Sequence, residues 1–209
     1  MKKFIGNPNC PIWLIGDSNP KNWQGKLDAP LDPRHTARHN IWTPVLDVMQ
    51  DITFRAEKIR VDTSALYIQN AIEEPQGKPK PNAIDWHENI NNKNEELRDL
   101  LLMKKPVIVL CFGAFSYEFC RRTQKLKSRK FNDWTTKTLG IEFRNSVKNF
   151  SHDSINIFPL LHISIARGRF IESHSYFCDK SGSNYFDYVG SSLGKLILEQ
   201  KDRLKIWIN

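Results

Sequence analysis

Four short apolar runs divide the chain and predict the strands of a sheet. They cover residues 12–15, 65–68, 107–111 and 155–161. Three of these runs lack polar alternation, which is typical of strands covered on both faces in a parallel sheet. Pro159 in the last run has no backbone N–H to donate and therefore favours a strand end or an edge strand.

The segments between these runs have apolar residues at helical spacing. The predicted helices cover residues 42–56, 85–103, 114–127 and 193–204. The first has Thr43 as its expected N-cap and Pro44 at its first position. Residues 131–150 are expected to add a strand or hairpin, and 17–41 and 73–84 to form long loops. This alternation predicts an α/β domain, a three-layer αβα sandwich with a central, mostly parallel four-stranded sheet.

Polar residues stand directly after several of the predicted strands. Asp17 and Asn19 follow the first run, Asn70 follows the second, and His162 follows the fourth. Each alone is compatible with a turn, a cap or a core histidine. Since ligands of parallel sheets bind at the carboxyl ends of the strands, these residues together predict an active site at one edge.

The composition is typical of a globular protein and argues against several other classes. With 209 residues, 40% of them hydrophobic and 26% charged, the chain is expected to form one globular domain over residues 1–209. No apolar run approaches the ~20 residues of a membrane span, and the start has no signal-peptide pattern. The four cysteines form no Cys-x-x-Cys pair, which argues against a zinc ribbon or iron–sulfur cluster. We therefore expect a cytoplasmic monomer without cofactor or metal.

Basic residues are clustered along the chain, and this clustering indicates which class of molecule the protein binds. The formal net charge is +8, and residues 121–130 contain six bases and no acid. A solvated basic surface would explain the total, but the clustering favours a polyanion and hence DNA. The candidate DNA contacts are Arg121, Arg122, Lys125, Arg167 and Arg169.

Five segments in order along the chain resemble the motifs of a known superfamily. They are residues 16–20 (Gly-Asp-Ser-Asn-Pro), 38–46 (Arg-His-Asn-Ile-Trp-Thr-Pro-Val-Leu), 67–72 (Tyr-Ile-Gln-Asn-Ala-Ile), 105–114 (Lys-Pro-Val-Ile-Val-Leu-Cys-Phe-Gly-Ala) and 162–164 (His-Ile-Ser). Together they resemble the uracil-DNA glycosylase superfamily over about residues 12–169. The features are mixed between the mismatch-specific and thermostable branches, and the four cluster cysteines of the thermostable branch are absent.

The resemblance implies a monofunctional DNA glycosylase of base excision repair, which hydrolyses the N-glycosidic bond of uracil or a related modified base. Either Asp17 or Asn19 would then activate water and stabilise the positive charge that develops on the sugar. His162 would donate to the departing base. Asn70 would read the edge of the flipped base, since an amide both donates and accepts.

The remaining implied contacts are with the substrate. His35 or Trp42 would stack on the base, and Ser164 belongs to the His-Ile-Ser motif. His35 and His39 have helical metal-ligand spacing, but no third ligand is obvious, so no metal is expected. A non-catalytic DNA- or base-binding protein with the same fold is the alternative, and a hydrolase of free nucleosides is a third option.

Overall fold

A five-stranded sheet lies at the centre of the computed structural model, which describes residues 2–19, 25–36, 38–167 and 172–208. The strands are β1 (Phe4–Ile5), β2 (Ile12–Gly16), β3 (Arg60–Val61), β4 (Tyr67–Asn70), β5 (Ile108–Phe112), β6 (Asn156–Leu160) and β7 (Trp207–Ile208). The sheet has the order β1-β4-β2-β5-β6, and β3 pairs separately with β7. All pairs within the sheet are parallel except that of β1 with β4.

The α/β class and the mostly parallel sheet are confirmed, but the number of strands differs from the prediction. The fifth strand is β1, whose two residues pair antiparallel with Gln69 and Ile68 of β4. Two residues are too few to show a period, so the sequence pattern did not reveal this strand. Pro159 lies in β6 at the edge of the sheet, as expected from its missing N–H.

Two helical groups enclose the sheet, in agreement with a three-layer sandwich. The helices are α1 (Thr43–Glu57), α2 (Glu88–Lys104), α3 (Ala114–Thr123), α4 (Thr136–Lys148), α5 (Ile163–Ala166), α6 (Glu172–Cys178) and α7 (Tyr185–Glu199). Helix α1 packs on α7, which also contacts α4 and α6, while α2 packs on α3. Strand β5 is buried along its whole length between these groups, as its unbroken apolar run predicted.

The predicted strand or hairpin within residues 131–150 is wrong, because this segment forms helix α4. The Thr138 N–H donates to the Thr135 hydroxyl over 3.3 Å and so caps the first turn. Leu139 and Phe143 are buried four positions apart, which is helical spacing. The alternation of Ile141 with Phe143 suggested a strand, but Ile141 is exposed.

Three predicted helix boundaries also change. A π-helical turn, Arg38–Trp42, leads directly into α1, so Trp42 rather than Thr43 occupies the N-cap position. Helix α3 ends at Thr123 and leaves most of the basic run 121–130 outside it. The last helix begins at Tyr185, earlier than predicted, because the Asn184 side chain accepts the Phe186 N–H over 2.9 Å.

Candidate active site

A pocket of about 300 Å³ opens where the parallel strands end. Gly16, the last residue of β2, is in register with Asn70, the last residue of β4. The segment after β6 reaches the same edge, since β5 pairs with both β2 and β6. Five predicted site residues line the pocket: Asp17, Asn19, His35, Asn70 and His162. The edge predicted from strand order is therefore the one that carries the pocket.

Asp17 presents a carboxylate with two different oxygens. Lys78 Nζ donates to Oδ2 over 2.5 Å, and this ion pair holds the side chain in place. Oδ1 is buried and has no hydrogen-bond partner among the residues that the structure describes. A buried carboxylate oxygen normally accepts a hydrogen bond, so Oδ1 can accept one from water or substrate in the pocket.

Asn19 and Asn70 form a hydrogen-bonded pair beside this carboxylate. The Asn70 amide donates to Asn19 Oδ1 over 2.9 Å, and the Asn19 amide donates to the Glu73 carbonyl over 3.1 Å. A Cβ at Gly16 would lie 2.3 Å from Asn70 Oδ1, so only glycine leaves room for the amide there. Asn19 is 6% exposed, and its hydrogen bond holds the Asn70 amide in this orientation.

His162 is held at the start of the short helix α5. Its Nδ1 accepts the Ser164 N–H over 3.3 Å and lies 2.9 Å from the Ser164 hydroxyl. An accepting Nδ1 places the proton of the neutral ring on Nε2. Burial lowers the pKa of His162, and the opposing field of Asp17 only partly offsets this, so the ring is neutral at pH 7. The described contacts of Ser164 are with His162, and we assign it an orienting role in place of the predicted substrate contact.

Gly113 allows the strand before it to approach this histidine. Its φ of +99° is one that residues with a side chain rarely adopt. A Cβ at this position would also lie 3.0 Å from His162 Cβ. The Gly113 N–H donates to the Leu160 carbonyl over 2.8 Å, which fixes the end of β5 against β6. The glycine therefore helps to set the position of the imidazole.

His35 reaches the pocket on a loop that Asp32 stabilises. The buried Asp32 carboxylate accepts the backbone N–H groups of Asp28 and Arg34, each over 2.9 Å. It also pairs with the Arg34 guanidinium over 2.7 Å, and these bonds hold the pKa of Asp32 well below its usual range. Burial lowers the pKa of His35, so this ring too favours its neutral form.

The aromatic wall of the pocket is Phe112, the last residue of β5, which the sequence analysis did not single out. Trp42, predicted as a possible stacking residue, is 1% exposed and packs edge-on against Phe112 with ring centroids 6.2 Å apart. Trp42 thus belongs to the core that supports Phe112. The position of Phe112 directly after the apolar run 107–111 is the signal that could have identified it.

Lys78 is the second site residue that the sequence analysis missed. It lies in the long loop predicted over residues 73–84, which contains three prolines. Its Nζ is 4.9 Å from the centroid of the Phe115 ring and 5.2 Å from that of Phe131. These cation–π contacts and the bond to Asp17 fix the ammonium at the site.

Two of the six bases in the basic run serve the fold rather than the pocket. Arg121 and Arg122 bind the fully buried Glu118 carboxylate over 2.8 and 3.0 Å, and their side chains are only 13% and 10% exposed. Their predicted contact with DNA is therefore not retained. Lys125 follows α3, a helix that begins at the edge of the sheet with the pocket and runs towards the opposite edge. The neighbouring Gln124 side chain bonds to the residue before β6, so Lys125 lies at the opposite edge.

Arg167 remains beside the site. It follows α5 directly, is exposed, and donates from Nε to the Asn40 carbonyl over 2.8 Å. This bond joins the segment after His162 to the π-helical turn before α1. Arg169, the other predicted DNA contact after the fourth strand, lies outside the described residues.

Neither a metal site nor a membrane span is found in the parts of the chain that the structure describes. No three His, Cys, Asp or Glu side chains there are grouped so that they could hold a metal ion. None of the described helices is long and apolar enough to cross a membrane. Comparison of the chain with protein-family models and with curated proteins finds no significant match.

Proposed function

We propose that the protein is a DNA glycosylase that hydrolyses the N-glycosidic bond of uracil or a related modified base and leaves an abasic site. We further propose that it acts on DNA in the cytoplasm as a monomer. The observation that carries the proposal is the convergence of three groups on one pocket: the Asp17 carboxylate, the neutral His162 imidazole and the Asn70 amide.

The role of Asp17 follows from the charge that develops on the sugar. As the glycosidic bond breaks, the deoxyribose gains oxocarbenium character, which a nearby carboxylate stabilises. Oδ1 of Asp17 can also accept a hydrogen bond from the attacking water and orient it. Both ends of the Asn19 side chain are engaged with Asn70 and Glu73. The structure thus favours Asp17 over Asn19 as the water-activating residue.

The role of His162 follows from its tautomer. With Nδ1 accepting from Ser164, Nε2–H is the donor that the ring can offer to a carbonyl oxygen of the base. Negative charge builds on that oxygen as the base departs, so the hydrogen bond strengthens towards the transition state. Burial favours the neutral ring, in which Nδ1 can accept from Ser164 while Nε2–H donates to the base.

Recognition of the base is assigned to Asn70 and Phe112. One N–H of the Asn70 amide is used by Asn19, which leaves the second N–H and Oδ1 for the base. These can pair with O4 and N3–H of a uracil-like ring, whereas cytosine presents the opposite pattern. Phe112 offers an apolar face against which a flipped base can pack, which offsets part of its unstacking cost.

The test is incubation of the protein with single-stranded and duplex oligonucleotides that carry uracil, hydroxymethyluracil, xanthine or hypoxanthine, followed by alkaline cleavage. We expect abasic product from at least one of them. Asp17→Asn should lower the single-turnover rate by about 10²–10³ while DNA affinity stays close to wild type.

Asp153→Asn is the matched control, because its side chain is 92% exposed and precedes β6 at the opposite edge of the sheet. It should leave the rate unchanged. If no substrate gives abasic product, the glycosylase proposal is wrong and the non-catalytic base-binding alternative takes its place. If Asp17→Asn is fully active while Asn19→Ala is not, the water-activating role moves to Asn19.

A further inference from the structure

Beside the pocket lies one group that base hydrolysis does not need, the primary amine of Lys78. Its Nζ contacts the carboxylate that lines the pocket, at 2.5 Å from Asp17 Oδ2. A hydrolytic site uses Asp17 as a free carboxylate, and this ion pair occupies one of its two oxygens. The carboxylate that holds the ammonium can also act as the base that removes its proton, and the free primary amine is a nucleophile towards a carbonyl carbon.

We propose that the protein also cleaves the DNA strand at abasic sites, with Lys78 as the nucleophile that forms a Schiff base with the sugar aldehyde. The proposal rests on the proposed function, because it requires that the pocket receives the deoxyribose of a flipped nucleotide. It adds a lyase step to the monofunctional activity that the resemblance implies. The substrate class is DNA with an aldehydic abasic site.

The surroundings of Lys78 fit this role. The side chain is 28% exposed, and its Nζ bonds to Oδ2 of Asp17, a residue that lines the pocket. The faces of Phe115 and Phe131 lie about 5 Å from Nζ and provide an apolar surround for its stem. Burial lowers the pKa of His162, and the positive charge of Lys78 lowers it further.

The reaction balances without an oxidant or reductant. Asp17 takes one proton from the Lys78 ammonium, and the free amine adds to C1′ of the ring-opened sugar. The carbinolamine hydroxyl leaves as water with the proton that Asp17 holds, and a protonated Schiff base remains. The Asp17 carboxylate then removes a C2′ proton, the C3′–O bond breaks with the phosphate as leaving group, and Asp17 passes this proton to the departing phosphate. Water finally hydrolyses the Schiff base and returns Lys78 as an ammonium.

The experiment traps the Schiff base with sodium borohydride. The full-length protein is mixed with a labelled duplex that carries a preformed aldehydic abasic site, and covalent protein–DNA adduct is measured on a denaturing gel. We expect an adduct with wild type and strand cleavage when borohydride is left out. A duplex with the tetrahydrofuran analogue, which has no aldehyde, should give neither. Since the abasic site is supplied, this result does not depend on base excision.

Three variants identify the amine. Lys78→Ala and Lys78→Arg should both lose the adduct, and the arginine keeps the positive charge beside Asp17 so that folding is preserved. Lys80→Ala, a change at an exposed lysine of the same loop, should keep it. Melting temperatures confirm that each variant is folded.

Two results would overturn the proposal: no adduct with wild type, or an adduct of equal yield with Lys78→Arg. Without an adduct, the contact between Lys78 and Asp17 would be a structural ion pair or a contact for a DNA phosphate. An equal yield with Lys78→Arg would show that another amine forms the adduct. Trapping by wild type together with no excision of any base would retain the lyase and reject the glycosylase. Excision without trapping would do the reverse.

Discussion

Substitution of Gly16 by alanine tests whether the position of Asn70 decides activity. The new Cβ would lie 2.3 Å from Asn70 Oδ1, whereas an ordinary contact between carbon and oxygen needs about 3.3 Å. The amide oxygen must therefore move by about 1 Å. Since it is the end of a side chain, the fold can accommodate this shift, but the hydrogen bond from Asn70 to Asn19 cannot keep its length of 2.9 Å.

Two magnitudes follow from this displacement. Loss of one hydrogen bond costs about 1 kcal/mol, which lowers the melting temperature of a chain of this size by about 2–4 °C. A shift of about 1 Å in a group that positions the substrate lowers the rate by about 10²-fold. Gly16→Ala should thus reduce single-turnover base excision far more than it reduces stability.

The assay is single-turnover excision on the best oligonucleotide substrate, with thermal unfolding followed by circular dichroism on the same preparation. Gly77→Ala is the matched control, because a Cβ there would have no heavy atom within 4 Å. It should leave the rate at the wild-type value. A Gly16→Ala variant that excises at the wild-type rate would refute the role of Asn70 in base recognition.

Two further predictions concern stability and pH. Glu118→Ala leaves the nearly buried Arg121 and Arg122 without their counter-ion. We expect the free energy of unfolding to fall by about 3–5 kcal/mol and the melting temperature by roughly 10 °C. An unchanged melting temperature would mean that these ion pairs add nothing to folding. Burial lowers the pKa of His162 in the folded state below its ordinary value of about 6.5, so the unfolded state takes up the proton first as pH falls. Stability should therefore decrease from about pH 6.5 downwards through the folded pKa, and His162→Gln should show a smaller loss of melting temperature between about pH 7 and pH 5. An equal loss in wild type and variant would contradict this assignment.

The local pattern of apolar residues was sufficient to predict those strands in which every residue is buried. Strand β5 is buried throughout, so its unbroken apolar run identified it directly. Because parallel strands end at a common edge, their order along the chain also predicts that Asp17, Asn70 and His162 lie near one another. The strand or hairpin predicted within residues 131–150 is helix α4, in which Phe143 is buried and Ile141, two positions before it, is exposed.

The tertiary structure decided which side chains meet, because the partners are distant in sequence. Lys78 and Asp17 are 61 positions apart, and no local pattern relates a lysine in a proline-rich loop to a carboxylate after the first strand. Likewise, a run of bases predicts a charged surface, but Glu118 turns Arg121 and Arg122 inward by offering a buried carboxylate one helical turn away. The sequence by itself determined the class of fold and the edge that carries the site. Only the packing of loops and helices on that edge determined which residues hold Asp17, orient Asn70 and form the aromatic wall, because those contacts depend on geometry that no single segment contains.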